Sequence, residues 1–145
     1  MRQTYRRIRE RLGAGDGLLY RYLSDVRPLP DEPPADEGEP TSPGEGAFGN
    51  CSFWAAENLA LGGGTTEEAR DLFERLCGYA NDVGLFAEEI DPPTGAALGN
   101  FPQGFTHVGL INAALSLARR LKGETPMERH VPQRQDEPES KEARV

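Results

Sequence analysis

The stretch GLFAEEIDPPTGAALGNFPQGFTHVGLINAA, residues 84–114, decides how the rest of this 145-residue chain is interpreted. Two adjacent carboxylates, Glu88 and Glu89, precede a loop rich in glycine and proline, and the loop leads into an apolar segment with helical spacing. An exposed pair of glutamates is most often ordinary solvated charge. The residues alone therefore leave two interpretations open, a surface pair or a catalytic carboxylate.

Segments with helical spacing surround this stretch. Residues 2–12 place apolar side chains opposite several arginines, and Thr65 with Glu68 forms a capping-box pair that opens an amphipathic helix. Residues 47–61 and 105–121 are apolar on nearly every face, so each helix should be enclosed by protein. Residues 18–23 are predicted to be extended. The pattern predicts an all-α chain whose four helices form part of an α/α toroid, with apolar faces exposed unless more helices complete the ring.

Charge excludes some classes of function. The formal net charge is −8, and residues 24–46 contain seven acidic side chains against Arg27 alone, a net charge of −6. This balance argues against a protein that binds the phosphate backbone of a nucleic acid. Residues 24–43 and 122–145 have the polar, proline-containing composition of flexible chain. We therefore expect a flexible acidic insert at 24–43, a disordered tail at 122–145, and a folded portion within 1–121.

The sequence favours a soluble protein without metals. No apolar run approaches the length of a membrane span, and the basic N-terminus lacks the apolar core of a signal peptide. Cys51 and Cys77 do not make a disulfide framework. The two histidines, His107 and His130, are distant from each other, and we expect no metal and no cofactor. A cytoplasmic location is the simplest interpretation.

Several motifs together resemble glycoside hydrolase family 15, which includes glucoamylases, other α-glucosidases and some bacterial trehalases. In chain order they are LLYRY at 18–22, EGAF at 45–48, CSFW at 51–54, YANDVGL at 79–85, AEEID at 87–91, GNFPQ at 99–103 and LINAA at 110–114. The resemblance covers residues 4–121 and implies the C-terminal portion of an (α/α)6 catalytic domain. It also implies inverting hydrolysis of α-linked glucose in maltose, malto-oligosaccharides or trehalose.

The resemblance implies roles for four residues. Glu88 matches the family's general base. Arg21 resembles the arginine that holds sugar hydroxyls, although it could instead pair with the acidic stretch that follows. Phe105 stands where the family often carries an aromatic wall residue. Glu89 has three open roles, which are binding a sugar hydroxyl, capping a backbone group and facing solvent.

A base alone does not complete this chemistry. Inverting hydrolysis needs a second carboxyl, a general acid, about 6.5–9.5 Å from the base. The family's acid lies in a segment with a Trp-Glu pair, and the single tryptophan here, Trp54, belongs to the helical CSFW motif. We expect the acid to come from a preceding portion or a partner chain, and the alternative is an inactive remnant. Phe53 and Trp54 are predicted to lie in the core, and His107 is predicted to be a hydrogen-bonded core histidine.

Overall fold

A computed structural model of the protein describes residues 2–22 and 45–124. The predicted insert at 24–43 and the part of the predicted tail after residue 124 lie outside the described residues. Residues 122–124 form the turn that ends the last helix, where the Gly123 amide donates to the Arg120 carbonyl at 3.0 Å.

The described residues form four helices, as predicted, and two small antiparallel sheets. The elements are α1 (Arg2–Leu12), β1 (Gly13–Gly15), β2 (Leu18–Leu19), β3 (Ala47–Phe48), α2 (Gly49–Asn58) with a π-helical turn (Leu59–Gly63), α3 (Thr66–Cys77), β4 (Glu89–Ile90), β5 (Ala97–Leu98) and α4 (Gly104–Leu121). β1 pairs with β2, and β4 lies between β3 and β5. The all-α prediction is therefore incomplete. Strands of two or three residues are too short to produce a recognisable period in the sequence.

The boundaries of α2 and α3 follow from their end groups. α2 begins at Gly49, two residues later than predicted, because Ala47 pairs with Ile90 in the sheet. The predicted capping box of α3 is confirmed. The Thr65 hydroxyl accepts from the Glu68 amide at 3.0 Å, and the Glu68 carboxylate accepts from the Thr65 amide at 2.6 Å.

α2 and α4 pack side by side in the same direction. A Cβ at Gly49 would lie 2.7 Å from Thr106 Cγ2, so the two helices approach closely where both begin. At their other ends, Arg120 of α4 hydrogen-bonds to the Leu59 carbonyl at 2.6 Å. Contacts that advance in the same order along both helices define a parallel pair. α3 lies between the two helices in the sequence and packs against both of them.

The core confirms one aromatic prediction and corrects another. Phe53 is 1% exposed and meets the Phe86 ring edge-on, with 5.3 Å between the ring centroids. Trp54 is 53% exposed, so its predicted core position is wrong. It lines an open groove of about 330 Å³ beside Tyr5 and Ile8 of α1. α1 contributes no fully buried residue, and its cover over α2 is therefore incomplete.

α4 has a buried face and an exposed apolar face. Its buried residues are Thr106, Gly109, Ala113 and Leu117. The opposite side carries apolar side chains that are each more than half exposed, namely Phe105, Val108, Ile111 and Leu115. The expectation of an exposed apolar face is confirmed for α4, whereas α2 exposes only Trp54. Across the same residues, no helix combines the length and apolar character needed to span a membrane.

Candidate active site

The backbone of Glu88 is fixed where α2 and α4 begin. The amide of Gly49, the first residue of α2, donates to the Glu88 carbonyl at 3.0 Å. The hydroxyl of Thr106, in the first turn of α4, donates to the Ala87 carbonyl at 3.0 Å. Residues 87–88 therefore lie against the starts of two parallel helices, where the helix dipoles favour negative charge.

The side chain of Glu88 is half-buried and is held by the loop before α4. Its Oε2 atom accepts from the Asn100 side-chain amide at 2.8 Å and from the Asn100 backbone amide at 3.2 Å. Its Oε1 atom has no hydrogen-bond partner within residues 2–22 and 45–124. One oxygen is fixed, and the other is free to contact a water or a ligand.

Glu89, the residue that follows Glu88 and begins β4, has a different set of contacts. Its Oε2 atom accepts from the Gly46 amide at 2.7 Å. This contact is the capping of a backbone group, which is one of the three roles that the sequence left open for Glu89. A role of Glu89 in sugar binding stays a prediction.

Arg21 is ion-paired in the free protein. Its Nη2 atom lies 2.5 Å from Glu45 Oε1, and its guanidinium carbon lies 4.4 Å from the centroid of the Phe48 ring. A polar contact with Tyr22, followed by the charges of Glu45 and Glu89, raises the pKa of the guanidinium above its usual value. The sequence left open an ion pair between Arg21 and the acidic stretch that follows it. This ion pair is present, and its partner is Glu45. Sugar binding by Arg21 stays a prediction.

Phe105 lies in the first turn of α4 and is 72% exposed. The Gln103 amide donates to the Phe86 carbonyl at 2.9 Å, which brings the start of α4 beside residues 86–88. A large, exposed ring at this place is available to a ligand or to another protein segment. The predicted role of Phe105 as an aromatic wall is not tested by these contacts.

His107 has a structural role, as predicted. Its Nδ1 atom lies 2.7 Å from the Gln103 carbonyl oxygen, and its Nε2 atom accepts from the Phe86 amide at 3.4 Å. Both ring nitrogens are engaged, so the imidazole is not free for catalysis. Within the described ranges, no group of three or more His, Cys, Asp or Glu side chains could hold a metal ion.

The two cysteines are free thiols, as predicted from their number. Burial raises the pKa of the Cys51 thiol, and the same cause acts on Cys77. A raised pKa keeps the thiol protonated and weakly nucleophilic at neutral pH. Neither cysteine is a candidate nucleophile.

Two structural supports of the site were not predicted. No partner for Asn100 follows from the sequence, because its contact with Glu88 joins residues 12 positions apart. Ser52 is fully buried, accepts from the Leu19 amide at 3.0 Å and donates to the Phe48 carbonyl at 2.8 Å. This hydroxyl ties the strand that leads to Arg21 to the start of α2. A serine inside an apolar helix gives no sequence signal that separates this role from a solvent-facing one.

Comparison with known proteins places these features in a family. Residues 64–115 match the family described as glycosyl hydrolases family 15. The trehalase of Mycolicibacterium smegmatis is 43% identical over 104 residues, which cover 72% of this chain and 14% of that enzyme. The trehalase of Mycobacterium tuberculosis is 42% identical over 104 residues, with the same coverage of each chain. The trehalase of Thermoplasma acidophilum is 37% identical over 114 residues, 79% of this chain and 17% of that enzyme.

The chain therefore spans 14–17% of the length of these three relatives. No solved structure matches the chain significantly. The matched family segment, residues 64–115, includes Glu88, Asn100 and the first turns of α4. By this match, residues 64–115 are a segment of a glycoside hydrolase family 15 domain, and the chain is homologous to trehalases over part of their length.

Proposed function

We propose that this chain supplies the general base of an inverting α-glucosidase and that Glu88 is that base. The observation that carries the proposal is the arrangement of the Glu88 carboxylate, with one oxygen held by Asn100 and the other without a partner in the described residues. An inverting glycosidase needs a fixed carboxylate that takes a proton from water as the water attacks the sugar. Glu88 has the chemistry and the fixed position for this task.

The general acid is supplied from outside residues 2–22 and 45–124. Glu89 is the nearest carboxylate in the sequence, but it is bonded to the Gly46 amide and directly follows the base in the chain. An inverting pair must instead stand on opposite sides of the sugar, with space between them for the sugar and the water. A further segment of the polypeptide, or a partner chain, must therefore contribute the acid.

The same segment or partner would complete the helical fold. The parallel pair of α2 and α4, with α3 returning between them, is a unit that an (α/α)6 toroid repeats. The exposed apolar face of α4 supports this interpretation, because burial of such side chains against other helices is favourable. Residues 2–124 alone would then be catalytically inactive, which corresponds to the subunit or remnant alternative raised by the sequence.

The substrate class follows from the relatives. Each relative named above is a trehalase, so an α-glucoside is the substrate class, with trehalose favoured over maltose. In this proposal Arg21 and Glu89 contact sugar hydroxyls when a substrate replaces their contacts with Glu45 and the Gly46 amide. Phe105 forms a wall of the sugar site. The protein acts in the cytoplasm on a soluble disaccharide.

The test is a chimaeric enzyme in which this chain replaces the region it matches in the trehalase of M. smegmatis. We expect the chimaera to hydrolyse trehalose and to release one glucose as the inverted β-anomer, observed directly by proton NMR. Glu88→Gln should lower kcat about 10³-fold, the scale expected for loss of a general base. Glu89→Gln should lower it less.

Glu67→Gln is the matched control, because it removes an exposed carboxylate from the first turn of α3. We expect the turnover of this variant to equal that of the unmodified chimaera. Full turnover by Glu88→Gln in an otherwise active chimaera would refute the proposal. Equal losses for Glu88→Gln and Glu89→Gln would refute the assignment of the base to Glu88.

A further inference from the structure

The loop before α4 surrounds the Glu88 carboxylate on one side only. Asn100 gives it two donors, Nδ2 at 2.8 Å and the backbone amide at 3.2 Å, and both reach Oε2. The orientation of the Asn100 amide follows from chemistry, because an ionised carboxylate accepts hydrogen bonds and cannot donate. The side chain of Glu88 is thus held asymmetrically, by one of two equivalent oxygens.

The backbones of the two residues are also joined. The Glu88 amide donates to the Asn100 carbonyl at 2.9 Å. The Glu88 carbonyl is already occupied by the Gly49 amide, so Glu88 is bonded on both sides of its backbone. The backbone of Glu88 is therefore held at both its amide and its carbonyl. The two donors of Asn100 then fix the carboxylate relative to this backbone.

Gly99 allows this approach. Its φ angle is +70°, in the left-handed region that favours glycine. A Cβ at this position would lie 3.1 Å from both the Cβ and the Oε2 of Glu88. A side chain at residue 99 would therefore press on the atom that Asn100 holds. The Gly99-Asn100 pair is shaped around this one carboxylate oxygen.

We propose that Asn100 is a positioning residue that anchors Oε2 of Glu88 and thereby makes Oε1 the atom that accepts the proton of the attacking water. The inference rests on the proposed role of Glu88 as base. In the step, one O–H bond of water breaks and its proton passes to Oε1, while the water oxygen bonds to the anomeric carbon. The glycosidic C–O bond breaks, and the leaving oxygen takes a proton from the carboxylic acid supplied by the completing segment.

Anchoring of this kind contributes through geometry. A free glutamate samples several rotamers, and ordering a long side chain costs free energy that would otherwise add to the barrier. A base displaced by about 1 Å can cost about 100-fold in rate, because the water must be aligned with the anomeric carbon. Asn100 should therefore affect kcat rather than the affinity for the sugar.

The first test uses the chain itself. We expect the Hα–Hβ scalar couplings of Glu88, measured by NMR, to show one side-chain rotamer in the wild type and an average over rotamers in Asn100→Ala. Gln3→Ala removes an amide side chain from exposed α1 and should leave the couplings unchanged. A single Glu88 rotamer that persists in Asn100→Ala would overturn the anchoring role.

The second test uses the chimaeric trehalase described above. Asn100→Ala should lower kcat about 10- to 100-fold with a change in KM below about twofold. Asn100→Asp keeps the shape, removes the amide donor and places a second carboxylate against the first, so its loss should be at least as large. Because Asp is nearly isosteric with Asn, this variant also serves if the alanine variant does not fold.

The outcomes separate the two proposals. If Glu88→Gln is inactive and both Asn100 variants keep full kcat, the role of Asn100 is wrong and the role of Glu88 stands. If Glu88→Gln is fully active, both are wrong. A loss that appears in KM with kcat unchanged would assign Asn100 to sugar binding and would also overturn the positioning role.

Discussion

The two ends of the α2–α4 pair use charged side chains in different ways. At the end where both helices begin, the Glu88 carbonyl accepts from the first amide of α2, and the Glu88 carboxylate is held by Asn100. At the end where α2 finishes, Arg120 reaches from α4 across the π-helical turn. Each charge has the sign that suits its end of the helices, since negative groups are favoured at starts and positive groups at ends. The two sites differ in how much of their hydrogen-bonding capacity is already taken.

Arg120 is engaged along its whole guanidinium. Nη1 donates to the carbonyls of Leu59 at 2.6 Å and Ala60 at 3.1 Å, Nη2 donates to Gly64 at 2.8 Å, and Nε donates to the Thr66 hydroxyl at 2.9 Å. Three of these acceptors are backbone carbonyls in or just after the π-helical turn that follows α2. Glu88, in contrast, has one oxygen without a partner in the described residues. A charge whose three nitrogens are all bonded stabilises the fold, whereas a carboxylate with one unbonded oxygen remains available for chemistry.

We expect the largest loss of stability when Arg120 is replaced. Arg120→Met keeps much of the apolar stem and removes four hydrogen bonds, so three half-buried carbonyls lose this donor. We expect the free energy of unfolding, measured with urea, to fall by about 2–3 kcal/mol, since each unsatisfied buried acceptor costs about 1–3 kcal/mol and some of these can recruit water.

Two variants check that interpretation. Arg119→Met changes the preceding, exposed arginine and should shift the unfolding free energy by less than about 0.5 kcal/mol. Glu88→Gln keeps an oxygen that can face Asn100 and should cost less than about 1 kcal/mol. Equal losses for the two arginine variants would show that Arg120 is not a structural clamp. A Glu88→Gln loss as large as that of Arg120→Met would remove the distinction between the two ends.

Local patterns in the sequence were sufficient to predict the helices. The apolar spacing predicted α4 to within one residue of its start, and Thr65 with Glu68 predicted the start of α3. The motif around Glu88 indicated the family. These features are local, since helical periodicity and capping depend on residues three or four positions apart.

The remaining features depend on contacts between distant residues. Arg120 bonds to Leu59 across 61 positions, and its sequence context resembles an ordinary charged end of a helix. The strand pairing that shortens α2 joins Ala47 to Ile90, and neither side has a detectable period. Trp54 was assigned to the core because α2 is apolar on most faces. Its actual exposure depends on how α1 docks, which no local pattern reports.

Packing at the helix starts offers a second, smaller effect. A methyl group at Gly49 would meet Thr106 Cγ2 at 2.7 Å and would press α2 away from α4. We expect Gly49→Ala to lower the unfolding free energy by about 1–3 kcal/mol through overpacking. The matched control is Gly104→Ala at the start of α4, where a Cβ would meet nothing within 4 Å.

A double variant locates the source of that strain. Thr106→Ser removes the methyl group and keeps the hydroxyl that bonds to Ala87, so adding it to Gly49→Ala should recover part of the lost stability. The two changes should therefore be non-additive in a double-mutant cycle. Additive losses would place the cost elsewhere, for instance in the hydrogen bond from residue 49 to Glu88.

The smallest effect on stability is expected at Glu68. This carboxylate also lies at the start of a helix, and its role in the capping box of α3 is structural. The hydrogen bonds from the Thr65 backbone and side chain lower the pKa of the Glu68 carboxyl below its ordinary value of 4.5. A folded-state pKa below the unfolded one means that the contribution to stability is fully present above the unfolded value. It is lost as the pH falls through the folded value.

Glu68→Gln separates this charge effect from capping, because glutamine can also accept the bond from the Thr65 amide. We expect the wild type to exceed Glu68→Gln in unfolding free energy at pH 7, and the difference to shrink as the pH is lowered below 4.5. Thr65→Ala removes one of the two hydrogen bonds and should make the decrease shallower. Urea unfolding at several pH values measures all three proteins. A difference that is constant with pH would show that the Glu68 charge does not stabilise this end, and that its role is limited to hydrogen-bond geometry.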